Sequence, residues 1–183
     1  SLYVGMLSQG IEIATAKNDY ATWRHVKPPA GFGSARLAPH PLAPTGSSLP
    51  SGQINDLFVA SDGAVFAATN AGLAWSRNQG GSWKFVRGRD WAGKIHGLFG
   101  GPPRGWNAKR IGKSASWLLG EDHLTCITQD SGGSYYVGSW QTGLTRIDKS
   151  LRTAKVISGK ASKLPDLYVS RILALDNELL VGT

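Results

Sequence analysis

Between positions 91 and 117, the tryptophans Trp91, Trp106 and Trp117 interleave with the cations Lys109, Arg110 and Lys113. Flat aromatic faces stack sugar rings or nucleobases, and neighbouring cations hold phosphate or carboxylate. These side chains are the candidate ligand-binding set. The plainer alternative is that the indoles anchor their loop onto the body of the protein, because a packed Trp buries a large apolar area.

Other chemistry is thin. His25, His40, His96 and His123 stand apart, without the His/Cys/carboxylate spacing of a zinc site, so neither a metal nor another cofactor is expected. Glu121-Asp122-His123 precedes a strand and reads as a solvated turn or as a polar contact to a ligand. Gly112-Lys113-Ser114 ends like a phosphate-cradling loop, but Asn107 occupies the position of the leading glycine. The 12 acids are spread along the chain, and neither a nucleophile with its base nor a carboxylate pair can be assigned. No catalytic residue is expected.

The chain of 183 residues carries a net charge of +8, and its basic residues cluster. Lys84, Arg87, Arg89, Lys94, Arg104, Lys109, Arg110 and Lys113 follow one another with Asp90 as the only acid among them. Such a stretch attracts anionic partners, or is simply a solvated basic face. Seven Trp and many Val, Ile and Leu exclude a disordered chain. The single cysteine, Cys126, excludes a disulfide framework. No run of about 18 apolar residues is present, so no membrane-spanning helix is expected. Ser1-Leu2-Tyr3-Val4-Gly5 lacks the charged and apolar regions of a targeting segment and reads as a strand.

The elements that must position these residues come from an internal repeat. Ile54–Ala60 alternates like a half-buried strand, Asp62-Gly63 turns the chain, and Ala64–Thr69 is a second strand. Asn70-Ala71-Gly72 turns it again, Leu73–Ser76 is a third strand, and Trp83–Val86 is a fourth. The same order recurs over Leu124–Thr128, Tyr135–Ser139, Leu144–Ile147 and Ala154–Ile157. The spacing from Gly72 to Val86 equals that from Gly143 to Ile157, 14 positions in each case. Leu2–Met6, Ile11–Ala14 and Trp23–Val26 match the last three strands of the unit, and Val169–Leu175 with Leu179–Thr183 match the first two. Short antiparallel strands repeated with regular turns predict an all-β chain of four-stranded β-propeller blades, whose faces are buried by stacking blade on blade. The expected organisation is a blade lacking its first strand (1–30), an insertion (31–48), a full blade (49–87), a second insertion (88–120), a full blade (121–158) and the first half of a blade (164–183). That is two complete and two partial blades, an arc of a larger ring of about seven blades, or a unit that assembles with copies of itself.

These residues resemble two-component-regulator propeller repeats. Leu49-Pro50-Ser51 and Leu164-Pro165-Asp166 stand before first strands, Tyr136-Val137-Gly138-Ser139 and Leu180-Val181-Gly182-Thr183 end second strands, and Gly72-Leu73 and Gly143-Leu144 open third strands. Ala67-Ala68-Thr69 departs from the Val-Gly-Thr pattern, and Asp176-Asn177-Glu178 lacks the turn glycine. A second resemblance lies inside one blade. Ser76, Asn78, Gly80, Ser82 and Trp83 are similar to the Asp-box of BNR-type propellers, with Asn78 in place of the Asp and Ser82 in place of the Thr. The resemblance implies a structural turn there.

The regulator resemblance implies an extracytoplasmic, periplasmic or secreted module without catalytic activity, a sensor or interaction domain whose ring face binds a glycan, peptide or protein. Alternatives are a fragment of a polysaccharide-active propeller enzyme, a BNR-type glycosidase or lyase, and a propeller that binds nucleic acid or another anionic polymer through the basic insertion.

Overall fold

The computed structural model describes residues 1–28, 45–91, 119–158 and 162–183. Apart from one short strand at Thr45–Gly46, its strands fall where the repeat places them, in antiparallel sheets that follow one another in chain order. The first sheet is β1 (Leu2–Gly5), β2 (Ile11–Ala14) and β3 (Trp23–Val26). The second contains β4 (Thr45–Gly46), β5 (Ile54–Val59), β6 (Val65–Thr69), β7 (Gly72–Ser76) and β8 (Lys84–Val86), in the order β4-β8-β7-β6-β5. The third is β9 (Leu124–Gln129), β10 (Tyr135–Ser139), β11 (Leu144–Ile147) and β12 (Ala154–Ile157). The fourth is the hairpin β13 (Arg171–Ala174) and β14 (Leu179–Gly182). The chain is all-β, an open propeller fragment. None of its described helices is long and apolar enough to cross a membrane.

The two complete units share a register. Leu73 faces Val86 across β7 and β8, and Leu144 faces Ile157 across β11 and β12. The glycine before each third strand explains why this spacing holds. Gly10, Gly72 and Gly143 have φ of +99°, +117° and +81°, where an L side chain is strained. A Cβ on Gly10 or Gly72 would also lie 2.1 or 2.2 Å from the carbonyl oxygen of Val26 or Val86, at the end of the fourth strand.

Burial follows from the pleat. On β6, Val65 and Ala67 point to the first sheet, where they pack with Ile11, Ile13, Ile54, Trp83 and Phe85. Phe66 and Ala68 point the other way, to a core with Leu124, Ile127, Tyr135, Val137 and Ile147. Cys126, Tyr136 and Leu144 then close on Val169 and Ile172 of the fourth sheet. Each fully buried aliphatic or Phe side chain contributes about 1.5–3 kcal/mol, so the sheet-to-sheet cores hold the stack together. The Val-Gly-Thr glycine has its reason here. A Cβ on Gly5 would sit 2.6 Å from Ile54, on the first strand of the next sheet, and one on Gly138 would sit 2.7 Å from Val169, just before β13. Ala68 holds that position in the second sheet and packs with Leu124 in the same core.

The second unit has five strands and not four. Thr45 and Gly46, expected inside the first insertion, pair with Val86 and Phe85 and cover the outer edge of β8. Two exchanged residues suffice because β8 is an edge strand with unpaired backbone groups. The rest of both insertions falls largely outside the described residues. At the ends of the stack, Leu2 and Val4 on β1, and Leu173 and Leu180 on the last hairpin, are exposed apolar side chains.

Candidate functional site

The stack has two distinct ends. The turns into third strands lie beside the segments that lead into the next sheet's first strand, because one hydrogen bond repeats at each junction. Gly10 N–H donates to Gly52 O, Gly72 N–H to Asp122 O and Gly143 N–H to Leu167 O, all at 2.8 Å. The described residues that flank each insertion, at the end of a fourth strand and before a first strand, lie at this same end of the stack, the ring face.

On that face stands an aromatic ledge. Trp140, in the turn between β10 and β11, is 48% exposed. Its ring stacks on His123 at 5.2 Å and 14°, and meets Tyr168 edge-on at 4.9 Å and 74°. Tyr168 and Leu167, from the segment entering β13, are also exposed. The backbone pins this group. Trp140 N–H donates to His123 O at 3.0 Å, Gln141 N–H to Glu121 Oε1 at 2.7 Å, and Tyr168 N–H to Asp166 Oδ1 at 3.1 Å. A ring already held on two sides loses little freedom when a ligand stacks on it. Leu7, in the corresponding turn of the first sheet, is exposed too.

Between the second and third sheets lies a buried polar layer. Arg87 and Asp122 are ion-paired at 3.4 Å, with both side chains 0% exposed. Asp122 Oδ1 also accepts from Gly88 N–H at 2.6 Å, and Asp90 Oδ1 accepts from Asp122 N–H at 2.8 Å. The guanidinium lies 5.6 Å from the Phe85 ring centre. Burial pulls the Arg87 pKa down and the Asp122 charge opposes it, so the pair is held together by mutual need.

Two expectations are corrected by this layer. Glu121 and Asp122 do not form a solvated turn, because both are buried: Asp122 ties the second and third sheets together, and Glu121 accepts from Gln141 N–H. Arg87 does not belong to a basic surface, because Asp122 neutralises it in the interior. Of the candidate ligand set, Trp91 is 1% exposed. Trp106, Trp117, Lys109, Arg110 and Lys113 lie outside the described residues. Trp140 and Tyr168 went unnoticed in the sequence. The one available signal was an aromatic residue inside a turn, where a polar residue is usual.

The turn from Ser76 to Trp83 lies at the opposite end. Ser76 Oγ donates to Asn78 Oδ1 at 2.9 Å and accepts from Gly80 N–H at 2.8 Å. Asn78 Oδ1 also accepts from Ser82 N–H at 2.8 Å, and its amide donates to Ser82 Oγ at 3.0 Å. Trp83 is buried in the core shared with the first sheet and donates its indole N–H to Gly80 O at 3.2 Å. Arg24 of the first sheet donates to the carbonyls of Gly80 and Gln79. All five motif residues serve the turn and the junction.

First strands stitch neighbouring sheets by side chains. Asn55 donates to Leu124 O at 2.6 Å, and Thr125 Oγ1 to Val169 O. Asp56, the one carboxylate on β5, β9 and β13, accepts from Ile127 N–H at 3.0 Å and from Arg171 at 3.1 Å. No group of three or more His, Cys, Asp and Glu able to hold a metal ion occurs among the described residues.

Two solved structures resemble this fold. One is PorZ, an essential bacterial surface component of the type-IX secretion system of Porphyromonas gingivalis, with a TM-score of 0.57 and 16% identity over 98% of this chain. The other is the extracellular domain of BT3049 from B. thetaiotaomicron, described as a hybrid two-component system, with a TM-score of 0.55 and 14% identity over 99% of this chain. The chain spans 22% and 17% of the lengths of those two structures. No family model and no curated protein matches the sequence.

Proposed function

We propose that this chain is a non-catalytic extracytoplasmic propeller module, part of a sensor or interaction protein, that binds a glycan, peptide or protein on its ring face. The observation that carries this reading is the exposed, doubly supported Trp140 beside Tyr168 and Leu167. The fold likeness to a surface component and to an extracellular domain supports the compartment. Trp106, Trp117, Lys109, Arg110 and Lys113, expected from the sequence as ligand-binding residues, are proposed to contact the same ligand, the cations at an anionic part of it. The apolar faces of β1 and of the last hairpin fit further blades of this pattern, from a longer chain or from second copies.

The test is a glycan and peptide array probed with wild-type protein and with Trp140→Ala. A ligand held by the wild type and weakened about tenfold or more by loss of the indole supports the reading. Ligands bound equally by Trp140→Ala and Tyr168→Ala would remove the ledge from the site.

A further inference from the structure

We propose that the groove between the second and third sheets, at the end opposite the ring face, is a separate binding site for an acidic saccharide. Its volume is about 430 Å³, within the range of small-molecule sites, roughly 300–1,000 Å³. The second sheet supplies Trp75, Arg77 and Lys84 along one side, and the third sheet supplies Ser150 and Leu151 on the other.

The pleat explains the lining. Trp75 on β7 and Lys84 on β8 are directly paired, so their side chains leave the same face of the sheet as neighbours. That face is the one packed on the third sheet, and Trp75 lies against its core while only partly buried. Lys84 is exposed and forms no ion pair among the described residues. Arg77 is steadied by Asp62 at 2.5 Å. The second sheet thus presents an indole with a free ammonium and a fixed guanidinium beside it.

Both walls are preorganised. On one side, Asn78 and Ser82 are locked in the hydrogen-bonded turn described above. On the other, the carboxylate of Asp148 gathers the N–H groups of Ser150, Arg152 and Thr153, and Leu151 sits in the left-handed region at φ +59°. The apolar face of a sugar ring matches an indole, and hydroxyls match amide and serine walls. The exposed ammonium of Lys84, which has no ion pair among the described residues, favours a carboxylate or a sulfate ester over a neutral sugar. A groove of this size between two turns suits one end or a short stretch of such a chain, not a duplex.

The experiment is calorimetric titration of the protein with a tetragalacturonate, a sulfated disaccharide and a neutral oligosaccharide of similar length. Each is repeated with Lys84→Gln and with Trp140→Ala. Lys84 is exposed, so its variant keeps the fold, which circular dichroism checks. Binding of either acidic probe, weakened about tenfold or more by Lys84→Gln, weakened by salt and unchanged by Trp140→Ala, supports the proposal. The two acidic probes separate carboxylate from sulfate. No binding of either, equal binding of the neutral probe, or equal binding by Lys84→Gln overturns it. Loss with Trp140→Ala alone would move acidic sugars to the ring face, which also overturns it while leaving the ring-face reading intact.

Discussion

Arg171 on β13 reaches Asp56 on β5 at 3.1 Å, across 115 positions of the chain. The contact joins the second and fourth sheets over the third, at the inner strands. The arginine is 70% exposed and the aspartate side chain 17%. That asymmetry predicts unequal costs. Arg171→Ala removes a solvent-screened partner and should cost less than about 1 kcal/mol. Asp56→Ala also strips the acceptor of the Ile127 N–H, and should cost about 1–3 kcal/mol. Urea unfolding of both variants checks the order, and equal costs would contradict it.

The buried pair of Arg87 and Asp122 behaves differently. Asp122→Ala leaves a cation in the interior and should destabilise by about 3–5 kcal/mol. Adding Arg87→Met removes the stranded charge and should recover part of that loss. A double variant as unstable as the sum of the two singles would mean that the pair is not coupled.

Stability should fall in acid. Hydrogen bonds from the Ser150 hydroxyl and then from backbone N–H groups hold the Asp148 carboxyl far below its ordinary value. The Ala64 N–H, and then Arg77, lower that of Asp62 from 3.8. Depressed folded-state values contribute stability that is complete above the unfolded value and is lost as pH falls through the folded ones. The urea midpoint should therefore be level from about pH 7 to 5 and drop below about pH 4. Asp148→Asn should flatten that drop, and an unchanged pH profile in this variant would contradict the assignment.

Cys126 should be silent in the native protein. It is buried between the third and fourth sheets, and that burial raises its thiol above the usual range. A maleimide should label it slowly at neutral pH and completely in denaturant. Rapid native labelling would mean that the fourth sheet opens.

Two glycines should separate strain from crowding. Gly63 has φ +80° and open space around its missing side chain. Alanine there should cost only the left-handed backbone penalty, about 1–2 kcal/mol. Gly72 adds a carbonyl 2.2 Å from any Cβ, so Gly72→Ala should cost clearly more, and similar thermal shifts would contradict the crowding argument.

Local order was legible in the chain itself. Alternation in Ile54–Val59, and glycines at Gly72 and Gly143, are set by neighbours a few positions away, so strands, turns and their repetition could be read directly. The short strand Thr45–Gly46 could not, because two residues carry no period and its partner β8 lies some 40 positions on. Burial was not legible either. Nothing in the order of residues distinguishes Arg87, sealed against Asp122, from Lys84, which faces solvent three positions earlier. Nor does it show that Trp91, expected as a ligand contact, is buried. Which side chain meets water depends on the sheet that packs opposite, and only the stacking of sheet on sheet decides that.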